Sequence, residues 1–448
     1  MKRRLDTTRA LGAALLATTL WLGLGGAMCR AQTASEVLTL ADALQEALSN
    51  DHLIKEARQL ERAAAEGLLG AKAALLPSLS AHYEYFRLDD NPYAIFKTEL
   101  GTQKVEVGHH DNFTWDLTLT QPIFTGFALV TKKKIAALDV ARAQVQKEQA
   151  VLDVAKRVKT AYFRVLLAGR FLDVAREEEN QLAAHLRDAQ KFYKQGLIAY
   201  NDVLKSQVAL AQARQTKVRR AKDVEVATAD LNRLLGRPLT APTRVADVVR
   251  FSPGSYELES LMEEAVRNRP ELRVLRLAVK QAQEGVRLAA SEFYPKVFLV
   301  GRVERTGKDP LGEENDYQNP DTTTVGVRLE WPFFEWGRTQ AAVRQQRAKA
   351  RSLQERLADI EESVRLEVKA ALSDLEVAQA NVETAKTALE QARENLRITR
   401  LQYRQQVTTA TEVLDARAYL TQAEANYYGA HYGWHLARAE LDRALGRR

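Results

Sequence analysis

Residues 121–127 read QPIFTGF and residues 331–337 read WPFFEWG. Behind these two proline-aromatic marks the chain repeats itself at an offset of 210 residues without a gap: Tyr193 and Gln195 return as Tyr403 and Gln405, Val203-Leu204 as Val413-Leu414, and Leu235-Gly236 as Leu445-Gly446. Upstream the offset is 218, with Asn50-Asp51 aligned on Asn268-Arg269 and Leu76-Pro77 on Tyr294-Pro295. The difference of eight residues falls between Leu79 and Gln121, where a loop shrinks without disturbing its flanks. The chain is an internal duplication of a unit of about 200 residues.

Each copy reads helix, strand, loop, strand, long helix, tip, helix. The first helix of each copy pauses at Asn50-Asp51 or Asn268-Arg269-Pro270 and is closed by Pro77 or Pro295. From about 128 to 195 and from about 339 to 405 there is no proline and almost no glycine, and apolar residues recur at helical spacing, as in Val151, Val154, Val158, Tyr162 and Val165. Leu389, Ala392, Leu396, Thr399 and Tyr403 step by three and four, the seam of a coiled coil. At 1.5 Å per residue such helices are on the order of 100 Å long, too long for one compact domain. Their opposite faces are dense in Lys, Arg, Glu and Gln, as expected of a face turned to water.

Phe113, Trp115, Leu117 and Leu119 alternate with polar residues, and in the second copy so do Val325, Val327 and Leu329. The spacing predicts strands at about 78–87, 112–121, 296–305 and 322–331, each close to the ~9–11 residues that a tilted strand needs to cross a bilayer. Too little non-helical sequence remains to cover such faces with a second layer. Four strands cannot close a barrel, and lipid does not tolerate an open edge, so a membrane reading requires several chains: two would give eight strands, three twelve. The fold class expected is mainly α with a membrane β-barrel. The rival is a periplasmic coiled-coil structural or adaptor protein, which would leave the strands and the duplicated proline-aromatic junctions (Pro77, Pro122, Phe124, Pro295, Pro332, Phe334) without a role.

Residues 1–31 carry a basic start (Lys2, Arg3, Arg4, Arg9), an uncharged apolar core and a small-residue end, the pattern of a cleaved export signal. The single cysteine, Cys29, leaves with it, and Gly26-Ala27-Met28 is a poor lipidation box. Setting the leader aside lowers the formal charge from +7 to +3, which implies no nucleic-acid partner. The remaining divisions are a first repeat at 32–236 with a helical hairpin at about 128–236, a proline-rich linker at 237–255, and a second repeat at 256–448 with a hairpin at about 338–446.

In this order, twice over, these marks resemble the TolC family of outer-membrane efflux ducts. They are the helix pauses, Leu76-Pro77 and Tyr294-Pro295, QPIFTGF and WPFFEWG, the tips at 196–204 and 408–414, and the two Leu-Gly endings. The resemblance covers essentially all of the chain after the leader. It implies a homotrimer with a twelve-stranded outer-membrane barrel continuing into a periplasmic tunnel of helices, whose tips form a gate and meet a membrane-fusion adaptor coupled to an inner-membrane pump. Glu412 and Asp415 fall where similar proteins line the closed entrance. Three-fold symmetry would repeat each carboxylate around a narrow axis and favour cations there. Glu412 also suits the first turn of a helix simply as an acid. Gly196, Leu197, Asp202, Val203, Leu204, Thr408, Val413 and Leu414 match the tip and adaptor-contact segments, although Gln405-Gln406 replaces a more usual Val-Gly pair in the second copy.

No phosphate-cradling glycine loop of the Walker form is present, and no nucleophile, base and orienting acid converge by spacing, so no enzyme activity and no cofactor are expected. His109-His110 read as loop polarity. His431 and His435, set among Tyr427, Tyr428, Tyr432 and Trp434, read as an aromatic packing segment rather than a metal site.

Overall fold

The computed structural model describes residues 37–99, 101–247, 251–252, 254 and 256–448; the leader at 1–31 lies outside them, as does part of the linker. The elements are α1 (Leu40–Asn50), α2 (His52–Ala73), β1 (Ser78–Arg87), β2 (Tyr93–Thr98), β3 (Gly101–Glu106), β4 (Asp111–Thr125), α3 (Ala128–Lys194) and α4 (Tyr200–Leu235), followed by α5 (Leu258–Asn268), α6 (Pro270–Ala290), β5 (Lys296–Gly307), β6 (Asp321–Glu330), α7 (Arg338–Arg404) and α8 (Ala410–Ala444). One 3-10 turn, Ser291–Phe293, closes α6.

The pauses are helix caps. Asp51 ends α1 and caps α2, its carboxylate accepting from the Leu53 amide at 2.8 Å. In the second copy Pro270 takes the first helical position, where its missing N–H costs nothing. The Leu-Gly endings meet these pauses. Gly236 (φ 74°) ends α4 against Asn50, whose side-chain amide donates to the Leu235 carbonyl at 3.3 Å. Gly446 (φ 75°) lies against the backbone of Asn268 in the same way. Two sequence marks far apart in each copy are therefore one contact.

α3 and α7 each run 67 residues and pair with α4 and α8 as antiparallel hairpins. Two apolar cores form at the level of the short helices. One is built around Tyr162 with Ile54, Val154, Val158, Leu231 and Leu235, and the other around Trp434 with Leu272, Val368, Leu441 and Leu445. The Tyr162 hydroxyl donates to the Ala246 carbonyl at 2.7 Å, fixing the inter-repeat segment where Leu38 bridges Val245. Charged pairs tie the copies together: Lys156 to Glu440 (2.6 Å), Lys159 to Asp442 (3.0 Å) and Arg443 to Asp153 (2.7 Å). Arg443 also bonds Glu271. Among the described residues no helix is long and apolar enough to cross a membrane.

The four long strands form one antiparallel sheet in the order β1-β4-β5-β6, leaving β1 and β6 as open edges. The register pairs Leu79 with Leu119, Tyr83 with Trp115, Leu117 with Val303, and Leu299 with Val327, so one face is apolar across all four strands. That face is exposed: Leu79, Trp115, Leu117, Val303, Val325, Val327 and Leu329 all lie open on the protomer. On the other face Asp116 meets His82 (3.3 Å) and Arg302 (3.4 Å), and Arg302 meets Glu304 (2.6 Å). An apolar surface of this extent and regularity marks a contact with lipid or protein.

Several strand limits differ from the sequence reading. β4 runs four residues past Gln121, through Pro122, because the register against β5 shifts between Pro122 and Phe124. A bulge tolerates the residue that cannot donate. β5 extends to Gly307, and β6 stops at Glu330, leaving Trp331 outside the strand with its indole N–H on the Phe293 carbonyl (3.1 Å). The loop after β1 is itself ordered into a separate hairpin, β2 with β3, which no alternation in the sequence announced.

Candidate functional site

The hairpin tips repeat one turn. After α3, Gly196 takes φ 73°; its amide donates to the Tyr193 carbonyl and that of Leu197 to the Phe192 carbonyl, both at 2.9 Å. After α7, Gln406 takes φ 60° with the Gln406 amide on Tyr403 (3.0 Å) and the Val407 amide on Gln402 (2.9 Å). This is the helix stop that needs one left-handed residue. The Gln at 406 therefore leaves the turn intact and places a strained non-glycine residue there.

α8 begins with a cap that α4 lacks. Thr409 accepts from the Glu412 amide (3.4 Å), whereas Ala199, its counterpart, offers no side-chain cap. Glu412 is thus in the first turn, where the helix dipole favours an acid. Glu412 and Asp415 are both exposed and lie three apart on one face, and among the described residues their carboxylates have no hydrogen-bond or ion-pair partner. The same face continues through Tyr419, Gln422 and Asn426, all exposed. Asp202 sits at the start of α4, partly buried, with Lys205 one turn on donating to the Thr411 hydroxyl of α8 at 3.2 Å, a contact between the two hairpins.

The other tip residues divide by burial. Gly196, Leu197 and Leu204 are exposed, and Thr408 and Leu414 are half-buried. Val203 and Val413 are buried, Val413 against Tyr403 and Ala410, so their side chains belong to the hairpin core rather than to a contact surface. Asp202 and the buried Tyr403 share the same neighbourhood. Burial, then the charges of Asp202 and Asp188, hold the Tyr403 phenol above its ordinary range.

The proline-aromatic segments build the passage from sheet to helix. Gly126 and Phe127 (φ 60° and 68°) precede α3, and Trp336 and Gly337 (φ 52° and 82°) precede α7, so each copy makes two left-handed residues in a row with the glycine in the opposite position. Phe124, Phe127 and Tyr294 meet edge to face at 5.4 to 6.5 Å, and Phe334 meets Trp336 at 4.9 Å. Phe333, Phe334 and Trp336 are exposed, Trp336 to 90%. At this junction opens a cleft of about 710 Å³ between the copies, lined mostly by apolar groups such as Leu76, Pro122, Leu129, Leu288 and Phe298, with Lys132, Glu292 and Lys296 among them. His435 packs face to face on Phe163 (4.8 Å) beside His431, in the aromatic manner expected of that segment.

Sequence reasoning missed Arg417 on α8, which is buried with its guanidinium unpaired, and the carboxylates of Glu178 and Glu424 near it. The available signal was a charged residue one place beside the seam formed by Val413, Ala416, Leu420 and Ala423.

A family model described as outer membrane efflux protein matches residues 43–237 and 261–447. The alkaline protease secretion protein AprF of Pseudomonas aeruginosa is 32% identical over 319 residues, which cover 69% of this chain and 63% of that protein. The outer membrane protein TolC of Escherichia coli is 24% identical over 427 residues, covering 92% and 83%. The crystal structure of the CmeC outer membrane channel of Campylobacter jejuni shares the fold with a TM-score of 0.76 at 15% identity, over 91% of this chain and 85% of that one. With both halves matched in the order of the duplication, this chain belongs to the outer membrane efflux protein family.

Proposed function

We propose that the protein is the outer-membrane duct of a tripartite efflux or type I secretion system, a passive conduit from a periplasmic adaptor and inner-membrane pump to the exterior. The observation that carries this reading is the single four-stranded sheet with an exposed apolar face and two open edges, continuous with helices of about 100 Å. Three chains would pool twelve strands, satisfy the edges of β1 and β6, and set the polar face with Asp116, Arg302 and Glu304 toward a water-filled lumen. The hairpin tips would then converge at the periplasmic end, with Glu412 and Asp415 lining the entrance and Leu197 and Leu204 available to the adaptor. A periplasmic coiled-coil protein has no use for that apolar face. The similarity to a protease secretion protein supports secreted polypeptide as one class of cargo.

The test is reconstitution. The protein should leave outer membranes only with detergent and give stepwise conductance in planar bilayers. Glu412→Ala with Asp415→Ala should weaken block by divalent cations from the periplasmic side. Release by salt or alkali alone would end the channel reading, and unchanged cation block would remove the two acids from the entrance.

A further inference from the structure

Seven residues into α8, about 10 Å from its start, the seam between the two hairpins changes character. Arg417 is 3% exposed, and its Nε and both terminal nitrogens have no hydrogen-bond partner. The charged groups around it are Glu177 and Glu178 of α3, Arg400 of α7, which donates to Gln181 of α3 (2.6 Å), and Glu424 of α8, with Arg393 of α7 beside Glu424. Among the described residues no carboxylate closes on Arg417 as an ion pair, and Glu424 keeps one buried oxygen unpaired. Below this layer lie Val413 and Tyr403 in an apolar contact, and above it Leu420 and Ala423 pack on Leu389 and Leu396.

A buried guanidinium without partners opposes the packing that encloses it, because burial removes hydration that nothing replaces. The neighbouring carboxyls behave alike. Burial pushes Glu178 and Glu424 above the ordinary carboxylate range, by more than the charge of Arg417 draws them down. Arg417 is enclosed within one chain, so a partner chain cannot be what hydrates it, whereas Glu178 and Glu424 are partly exposed at the edge of the same layer.

We infer that this charged layer is a release point between the α3–α4 and α7–α8 hairpins, holding their closed packing close to balance so that the lower end of α8 can leave α3 without parting a continuous apolar seam. The inference rests on the duct reading for its purpose and on the geometry of Arg417 for its existence. Once the hairpins separate, water reaches the guanidinium and both carboxylates, and the penalty vanishes.

Two variants of the full-length protein in detergent separate this role from that of a structural staple. Arg417→Met with Glu178→Gln and Glu424→Gln neutralises the layer; amide hydrogen exchange over 413–424 should slow by about tenfold, as replacing a buried charge cluster with neutral groups does. Glu178→Gln with Glu424→Gln alone strips Arg417 of its compensating charge, and exchange there should quicken. Unchanged or faster exchange in the neutral variant, or its failure to assemble, overturns the inference. In bilayers the neutral variant should also open less often than the parent. A parent that conducts nothing would count against the duct reading, while the exchange measurement still decides the role of the layer.

Discussion

At Gly126 a methyl group would stand 2.4 Å from the Ser291 carbonyl oxygen, whereas at Gly337 nothing lies within 4 Å, although both residues are left-handed. Gly337→Ala should therefore lose only the conformational cost, about 1–2 kcal/mol, while Gly126→Ala adds a backbone collision and should lower the melting temperature markedly more. Equal losses for the two would mean that the 3-10 turn at Ser291–Phe293 moves aside freely. A second single residue carries a pH dependence. Burial, aided by the electrostatic influence of neighbouring His431 and Arg438, pushes the His435 imidazole down to about 4. The folded state thus resists a proton that the unfolded chain accepts near 6.5. Its contribution is complete above pH 6.5, is lost as pH falls from there, and is gone below about 4, amounting at most to on the order of 3 kcal/mol. His435→Phe, which keeps the ring on Phe163, should flatten the fall of melting temperature between pH 7 and 4.5; an unaltered slope would assign the acid sensitivity elsewhere. Neither property was legible in the sequence, because both depend on what packs against the residue from another element.

Among the elements, the long helices and their seams could be read from periodicity because the pattern persists over 67 residues in each copy. The alternating strands were equally plain, since the period of two survives in both copies. The β2–β3 hairpin was not, because Tyr93, Ile95 and Phe96 on one strand and Val105 on the other follow no alternation and no type I′ pair marks the turn. The tips show how a motif departs while a conformation stays. Gln406 holds a left-handed angle that costs a side chain roughly 1 kcal/mol, and glycine does it freely. Gln406→Gly should slow local exchange at the α7–α8 turn, whereas Gly196→Ala should speed it at the α3–α4 turn by a comparable factor. Opposite signs at equivalent positions would follow only if the two turns share one backbone; matching signs would refute that equivalence.

For the whole molecule, the protomer in isolation is unfinished: its sheet exposes an apolar face and two unpaired edges, and each liability has its own test. Val327 lies mid-strand on that face, 71% exposed. Val327→Arg should cost about 2–4 kcal/mol in lipid and sharply reduce folded protein in the outer membrane, while Thr322→Arg, on the polar face opposite Glu304, should be tolerated. If both assembled alike, the apolar face would not be the lipid face. The edges decide the stoichiometry that strand arithmetic left open, since antiparallel closure must bring β1 of one chain beside β6 of the next. Cys29, the sole cysteine, falls within the expected leader, so cysteine pairs placed along β1 and β6 report that junction alone. Oxidation in intact outer membranes should give covalent dimers and a trimer band that persists without higher species, because a closed ring of three leaves no edge to extend. A ladder ending at two would make the barrel eight-stranded, and one continuing past three would mean that the sheets do not close.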